Sequence, residues 1–167
     1  MINFFDVSLE RKNYKKQILN SIYKVANSKI HILGNETKKF EKKFCNYIGK
    51  KYCIGVNSGT DAIELSLRAL EIGKGDEVIT TTHTATATVA AILSTEATPV
   101  LVDINEKDFN INISSIPMHI TKKTKAIVVV HIYGQSCDLT KLNQISKKYN
   151  VPIIEDVAQA TGAEWKG

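Results

Sequence analysis

A chain of 167 residues has room for one domain with a sizeable core but is short for a two-domain enzyme. Apolar residues make up 43% and charged residues 23%, ordinary globular composition, and the formal charge of +5 rests mostly on lysines at helical spacing, as in "KKFEKKFCNYIGKKY". That spacing describes a solvated helix face, and no RNP, zinc-finger or helix-turn-helix signature accompanies it, so nucleic acid is not an expected partner. The longest apolar run, residues 126–133, is too short to span a bilayer, and the first residues lack an apolar signal-peptide region. A cytoplasmic protein with no membrane association is therefore expected. Cys45, Cys53 and Cys137 are scattered and odd in number, which suggests neither a disulfide framework nor a zinc site.

In chain order, residues 1–35 predict an N-terminal arm with a helix over roughly 9–26, and a second amphipathic helix follows over roughly 36–47. Strand and helix then alternate. Strand "YCIGV" (52–56) leads to helix "TDAIELSLRALEI" (60–72), strand "EVITTT" (77–82) to helix "TATATVAAILSTE" (84–96), and strand "TPVLVDI" (98–104) to a weaker helix near 113–120. Strand "KAIVVVHIY" (125–133) leads to helix "DLTKLNQISKKYN" (138–150), and "VPIIED" (151–156) is the last strand. Short β-branched runs separated by helical periods predict an α/β protein: a mostly parallel sheet with helices on both faces, three layers in all. Ligands of such sheets gather at the carboxyl ends of the strands.

Those ends carry the residues that could do chemistry. Asn57-Ser58-Gly59-Thr60-Asp61 joins a strand to an amphipathic helix. Gly59 is expected to permit a tight turn, after which the amides of Thr60 and Asp61 project from the helix start, where the dipole favours a phosphate. The same residues also fit an ordinary N-cap, because Ser58-x-x-Asp61 is a capping box. A Walker loop is excluded by the missing Gly-Lys-Ser/Thr, and Gly73 with Gly75 lacks the third glycine of a dinucleotide fingerprint.

Asp156 follows the apolar "VPII", so its carboxylate is expected to be partly buried and to require a partner. One candidate is a metal held with His83 or His131, although each histidine alone reads as a hydrogen-bonded residue at a strand end. The other is a protonated heterocycle, with Gln159 as an amide donor in the same loop. Glu155 points to the opposite face and reads as structural or solvent-facing.

Taken together, "ILGNETKKFEKKFCNYIGKKYCIGVNSGTDAIELSLRAL", "GKGDEVITTTHTATATVAAI", "ATPVLVDI", "VVHIYGQSCDL" and "VPIIEDVAQATGA" closely resemble the N-terminal part of the DegT-type (DegT/DnrJ) nucleotide-sugar aminotransferases. These are pyridoxal 5'-phosphate (PLP) enzymes of aspartate-aminotransferase-like fold (fold type I). The resemblance implies that residues 36–167 are the N-terminal part of a PLP-binding large domain. It makes Asp156 the partner of the pyridinium nitrogen, Gln159 the partner of the ring hydroxyl, and Gly59, Thr60 and Asp61 the phosphate cup, with no metal.

It further implies a homodimer in polysaccharide biosynthesis that transfers nitrogen from an amino-acid donor, commonly glutamate, to a nucleotide-linked keto-sugar. The Schiff-base lysine is expected downstream of "EDVAQATGA", beyond residue 167, and Lys141, Lys147 and Lys148 read as exposed helix residues. Strand 52–56 is expected to lie beside a later strand, which leaves the phosphate cup without a fixed position relative to Asp156. Where many members stack an aromatic side chain on the cofactor, this chain has Ala85. Two other readings remain open: a non-catalytic protein of the same fold, and a sugar dehydratase with histidine in place of the lysine.

Overall fold

The structure, a computed structural model, describes residues 8–166. They fall into two compact units that divide between Gly55 and Val56. The first unit holds helices α1 (Ser8–Ala26) and α2 (Asn35–Tyr47). Within it Glu36, in the first turn of α2, pairs with Lys24 at 2.9 Å and Lys39 at 2.8 Å, and these two ammonium groups hold its carboxyl down at about 2. Among the described residues no helix is long and apolar enough to cross a membrane.

The second unit contains the sheet. Helix α3 (Gly59–Ala69) precedes strand β1 (Glu77–Thr81), followed by α4 (Thr86–Ser94), β2 (Thr98–Val102), α5 (Ile116–His119), β3 (Thr124–Val130), α6 (Leu139–Tyr149) and β4 (Ile153–Asp156). The strands lie in the order β2-β1-β3-β4 and every pairing is parallel. This is the expected α/β architecture with three layers. Val78, Ala126 and Val128 point to one face and pack with Ile63 and Leu67 of α3 and Ala91 and Ile92 of α4. Their neighbours Ile79, Ile127 and Val129 point to the other, against Ile116 of α5 and Leu142 of α6. The strands therefore read as continuous apolar runs because alternate residues enter two different cores.

Local chemistry sets the ends of the helices. Ser58 and Asp138 accept the amides of Asp61 and Lys141, capping α3 and α6. Asn150 ends α6 in the left-handed conformation (φ 53°), which asparagine tolerates better than most residues. Helix α5 is only four residues long, shorter than the predicted 113–120, and runs from Ser115 as N-cap to an extended Ile120.

Two expectations are corrected. Residues 52–56 form no strand and pair with none, with Tyr52 and Ile54 75% and 81% exposed. A strand exists only where a neighbour completes its ladder, and no described segment offers one here. Helix α3, which starts with the expected phosphate-cup residues, is nevertheless fixed relative to Asp156. Burial of Ile63 and Leu67 in the same core as Ile154 of β4 anchors α3 to that face without a strand before it.

The winding positions the site. From β1 the chain moves outward to β2 through α4 on the first face, then doubles back past β1 to β3 through α5 on the other face. From β3 it continues outward to β4 through α6 on that second face. Connections leaving β1 and β3 thus diverge to opposite sides, the kind of switch point at which ligands of open α/β sheets gather.

Candidate active site

Strand parity delivers Asp156 to the α3/α4 face, because Ile154 two residues earlier packs there, and turns Glu155 the other way. Asp156 is half-buried. Its Oδ1 accepts the amide of Ala158 at 3.1 Å and its Oδ2 accepts the hydroxyl of Thr88 at 3.3 Å. Among the described residues no cation pairs with it. Lys141, Lys147 and Lys148 are exposed on α6, which covers the opposite face.

Gln159 reaches back to β3. Its Oε1 accepts the backbone amide of Tyr133 at 2.8 Å, and since an amide N–H can only donate, this contact identifies the oxygen and leaves the Gln159 –NH2 as a donor. Tyr133 itself has a positive φ of 55°, a conformation an aromatic residue adopts only when its surroundings enforce it. Its hydroxyl meets His83 Nε2 at 3.0 Å, and the rings of His83, Phe109 and Tyr133 contact one another with centroids 5.7–6.4 Å apart.

The start of α3 departs from expectation in two ways. Gly59 is the first helical residue and has no positive φ; the extended Ser58 makes the turn, so the glycine is not required by backbone conformation. A Cβ at Gly59 would meet nothing within 4 Å, so open space lies above the backbone there. The amide of Asp61 is not available, because Ser58 Oγ accepts it at 3.1 Å, the capping arrangement that competes with a phosphate for the same donor. Among the described residues no acceptor meets the amides of Gly59 and Thr60, two of the donors that a helix start leaves without intrahelical partners.

His83 and His131 are both hydrogen-bonded at the strand ends. His131 is 3% exposed; its Nδ1 accepts the amide of Cys137 at 3.0 Å, which places the ring hydrogen on Nε2, directed at Glu155 Oε2 at 3.0 Å. Its own backbone amide donates to the carbonyl of Asp156 at 3.1 Å. Glu155 is thus a partner of His131 across the strand ends. Among the described residues no group of three or more His, Cys, Asp and Glu could hold a metal ion.

Asp156 and Gln159 therefore share one loop, and Gly59, Thr60 and Asp61 open a helix packed on the same face. These features suit a phosphorylated heterocyclic cation: open amides at a helix start for the phosphate, a half-buried carboxylate lacking a cation, and an amide donor beside it. Sequence reasoning missed Thr88 and Thr84. Thr84 Oγ1 lies 2.8 Å from Thr88 Oγ1, and the only hint was their four-residue spacing in "THTATAT".

Comparison with known proteins agrees. Residues 12–167 match the model of the DegT/DnrJ/EryC1/StrS aminotransferase family. Over its whole length the chain is 48% identical to dTDP-3-amino-3,6-dideoxy-alpha-D-galactopyranose transaminase of Aneurinibacillus thermoaerophilus, of which it covers 46%. Among solved structures, DesV of S. venezuelae in complex with a ketimine intermediate superposes with a TM-score of 0.93 at 36% identity, covering 96% of this chain and 43% of that one. The ntda protein of Bacillus subtilis with bound cofactor PMP gives 0.90 at 36% identity, covering 96% and 37%. The chain spans about half the length of the curated relatives it matches. With the match running through both the carboxylate loop and the cup helix, the chain belongs to the DegT/DnrJ/EryC1/StrS aminotransferase family, whose members depend on pyridoxal phosphate.

Proposed function

We propose that this chain supplies ring and phosphate contacts for pyridoxal phosphate in a transaminase. That enzyme moves an amino group from an amino acid, glutamate being the expected donor, to a nucleotide-linked keto-sugar. One observation carries the reading: a half-buried carboxylate at the carboxyl rim of a parallel sheet, hydrogen-bonded at both oxygens yet lacking a cation among the described residues. The relative from Aneurinibacillus thermoaerophilus, a dTDP-amino-sugar transaminase, supports the sugar-nucleotide substrate.

In this reading Asp156 holds the proton on the ring nitrogen, and the Gln159 –NH2 donates to the ring hydroxyl. Thr60, through its amide and hydroxyl, and the amide of Gly59 take the phosphate, aided by the dipole of α3. The Asp61 amide joins them only if it leaves the Ser58 cap. When bound, the cofactor supplies the electron sink that stabilises negative charge at the amino-bearing carbon. The reading also assigns residues 36–167 to the cofactor-binding domain and expects a cytoplasmic homodimer whose amino-sugar product serves polysaccharide biosynthesis.

The test is calorimetric titration of the chain with pyridoxamine phosphate, which binds without a Schiff base. Measurable affinity that falls roughly 10- to 100-fold in Asp156→Asn is expected, the worth of a hydrogen bond to a charged partner. Equal affinity in the two proteins would refute the assignment.

A further inference from the structure

We propose that Thr88, directed by Thr84, is a positioning residue for the Asp156 carboxylate, so that a two-hydroxyl relay sets the face this acid presents to the ring nitrogen. The inference rests on the proposed role of Asp156 and adds to it two residues on α4 and in the segment before it.

Hydrogen-bond inventory fixes the direction of the relay. A carboxylate has no hydrogen to give, so across the 3.3 Å contact Thr88 Oγ1 must donate to Asp156 Oδ2. Thr88 has one hydroxyl hydrogen and so cannot also donate to Thr84. Across the 2.8 Å contact Thr84 is therefore the donor and Thr88 the acceptor. The order Thr84 to Thr88 to Asp156 follows from chemistry, although either threonine could donate if their pair stood alone.

Both threonines are well placed for this. Thr88 is 1% exposed and lies in the first turn of α4. Ala85, the N-cap residue of α4, has no side-chain acceptor, and the Thr84 hydroxyl is turned to Thr88 and not to a backbone amide. With Ala158 holding Oδ1 and Thr88 holding Oδ2, rotation of the carboxylate about its Cβ–Cγ bond is restrained from both sides. Its remaining lone pairs keep one orientation. In a site where small misplacements are costly, that restraint is a functional property.

Pyridoxamine phosphate binding by the full chain tests this, with thermal melts confirming that each variant is folded. Thr88→Val is expected to weaken binding about tenfold, Thr88→Ser to restore it, and Thr84→Ala to weaken it about threefold. The ultraviolet band of the bound ligand, which responds to protonation of the ring nitrogen, is expected to move in Thr88→Val and return in Thr88→Ser; a merely structural threonine would not move it. If Asp156→Asn weakens binding while Thr88→Val and Thr84→Ala leave affinity and band unchanged, the relay is refuted and the Asp156 assignment stands. If the wild type does not bind, or Asp156→Asn binds equally well, both fall. Should Thr88→Val not fold, the affinity of Thr84→Ala decides.

Discussion

Thr80 offers a quantitative test of the core. It lies in the middle of β1 with 0% exposure, and its hydroxyl has no partner among the described residues. Other buried threonines differ: Thr81 accepts the amide of His83, Thr95 donates to the carbonyl of Ile92 at 2.7 Å, and Thr124 accepts the amide of Thr121 at 2.9 Å. A buried hydroxyl without a partner costs roughly 1–3 kcal/mol. Valine has nearly the same shape and replaces that hydroxyl with a methyl worth about 0.8 kcal/mol of burial. Allowing for imperfect fit, Thr80→Val should stabilise the protein by about 1.5 kcal/mol. That corresponds to a rise of about 0.5–1 M in the urea midpoint and ~3–6 °C in Tm. Circular dichroism during urea unfolding measures both midpoint and slope, and the slope should be unchanged. Thr95→Val is the control; it loses a bonded hydroxyl and should lose about 1 kcal/mol. A Thr80→Val midpoint at or below the wild-type value would refute the account of this core.

Two further outcomes follow from groups described above. Burial, with the negative charges of Asp108 and Glu155 nearby, pushes the Cys137 thiol up to about 12. The fold favours its neutral form, so its contribution to stability is intact below the ordinary thiol value of 9.0 and declines as pH climbs toward about 12. Cys137 should also resist alkylation at pH 8 in the folded protein and react once urea is added, as read by mass spectrometry. Ser58→Ala removes the α3 cap and should cost about 1 kcal/mol of stability in urea unfolding, while Ser58→Asp should retain most of it.

Much of the fold was legible because β-branched runs and helical periods are local signals. Three of the four paired strands fall within the segments that sequence reasoning marked, and β3 starts one residue before its segment, at Thr124. Segment 52–56 failed because strand identity is not local: "YCIGV" has the right composition, but pairing depends on a neighbour that no described residue provides. Asp156 was legible because an acid ending an apolar strand is a contradiction that chemistry must resolve. Thr84 and Thr88 were not, since threonine in a helix reads only as a poor helix former. Their meaning appears when Asp156, 68 residues after Thr88, brings its carboxylate beside α4. The Ser58 cap shows the converse, a motif with two readings of which the fold adopts the plainer one.

The divergence of the connections leaving β1 and β3 has a bearing on how such a protein can change. The segments that follow these strands meet through their side chains, His83 after β1 lying 3.0 Å from Tyr133 after β3, while Asp156 ends the neighbouring strand β4. A change at either residue disturbs the other, whereas the strands beneath them, packed on both faces, stay in place. A lineage could therefore alter what this rim contacts by editing the two loops in concert, while the carboxylate at the end of β4 keeps its post.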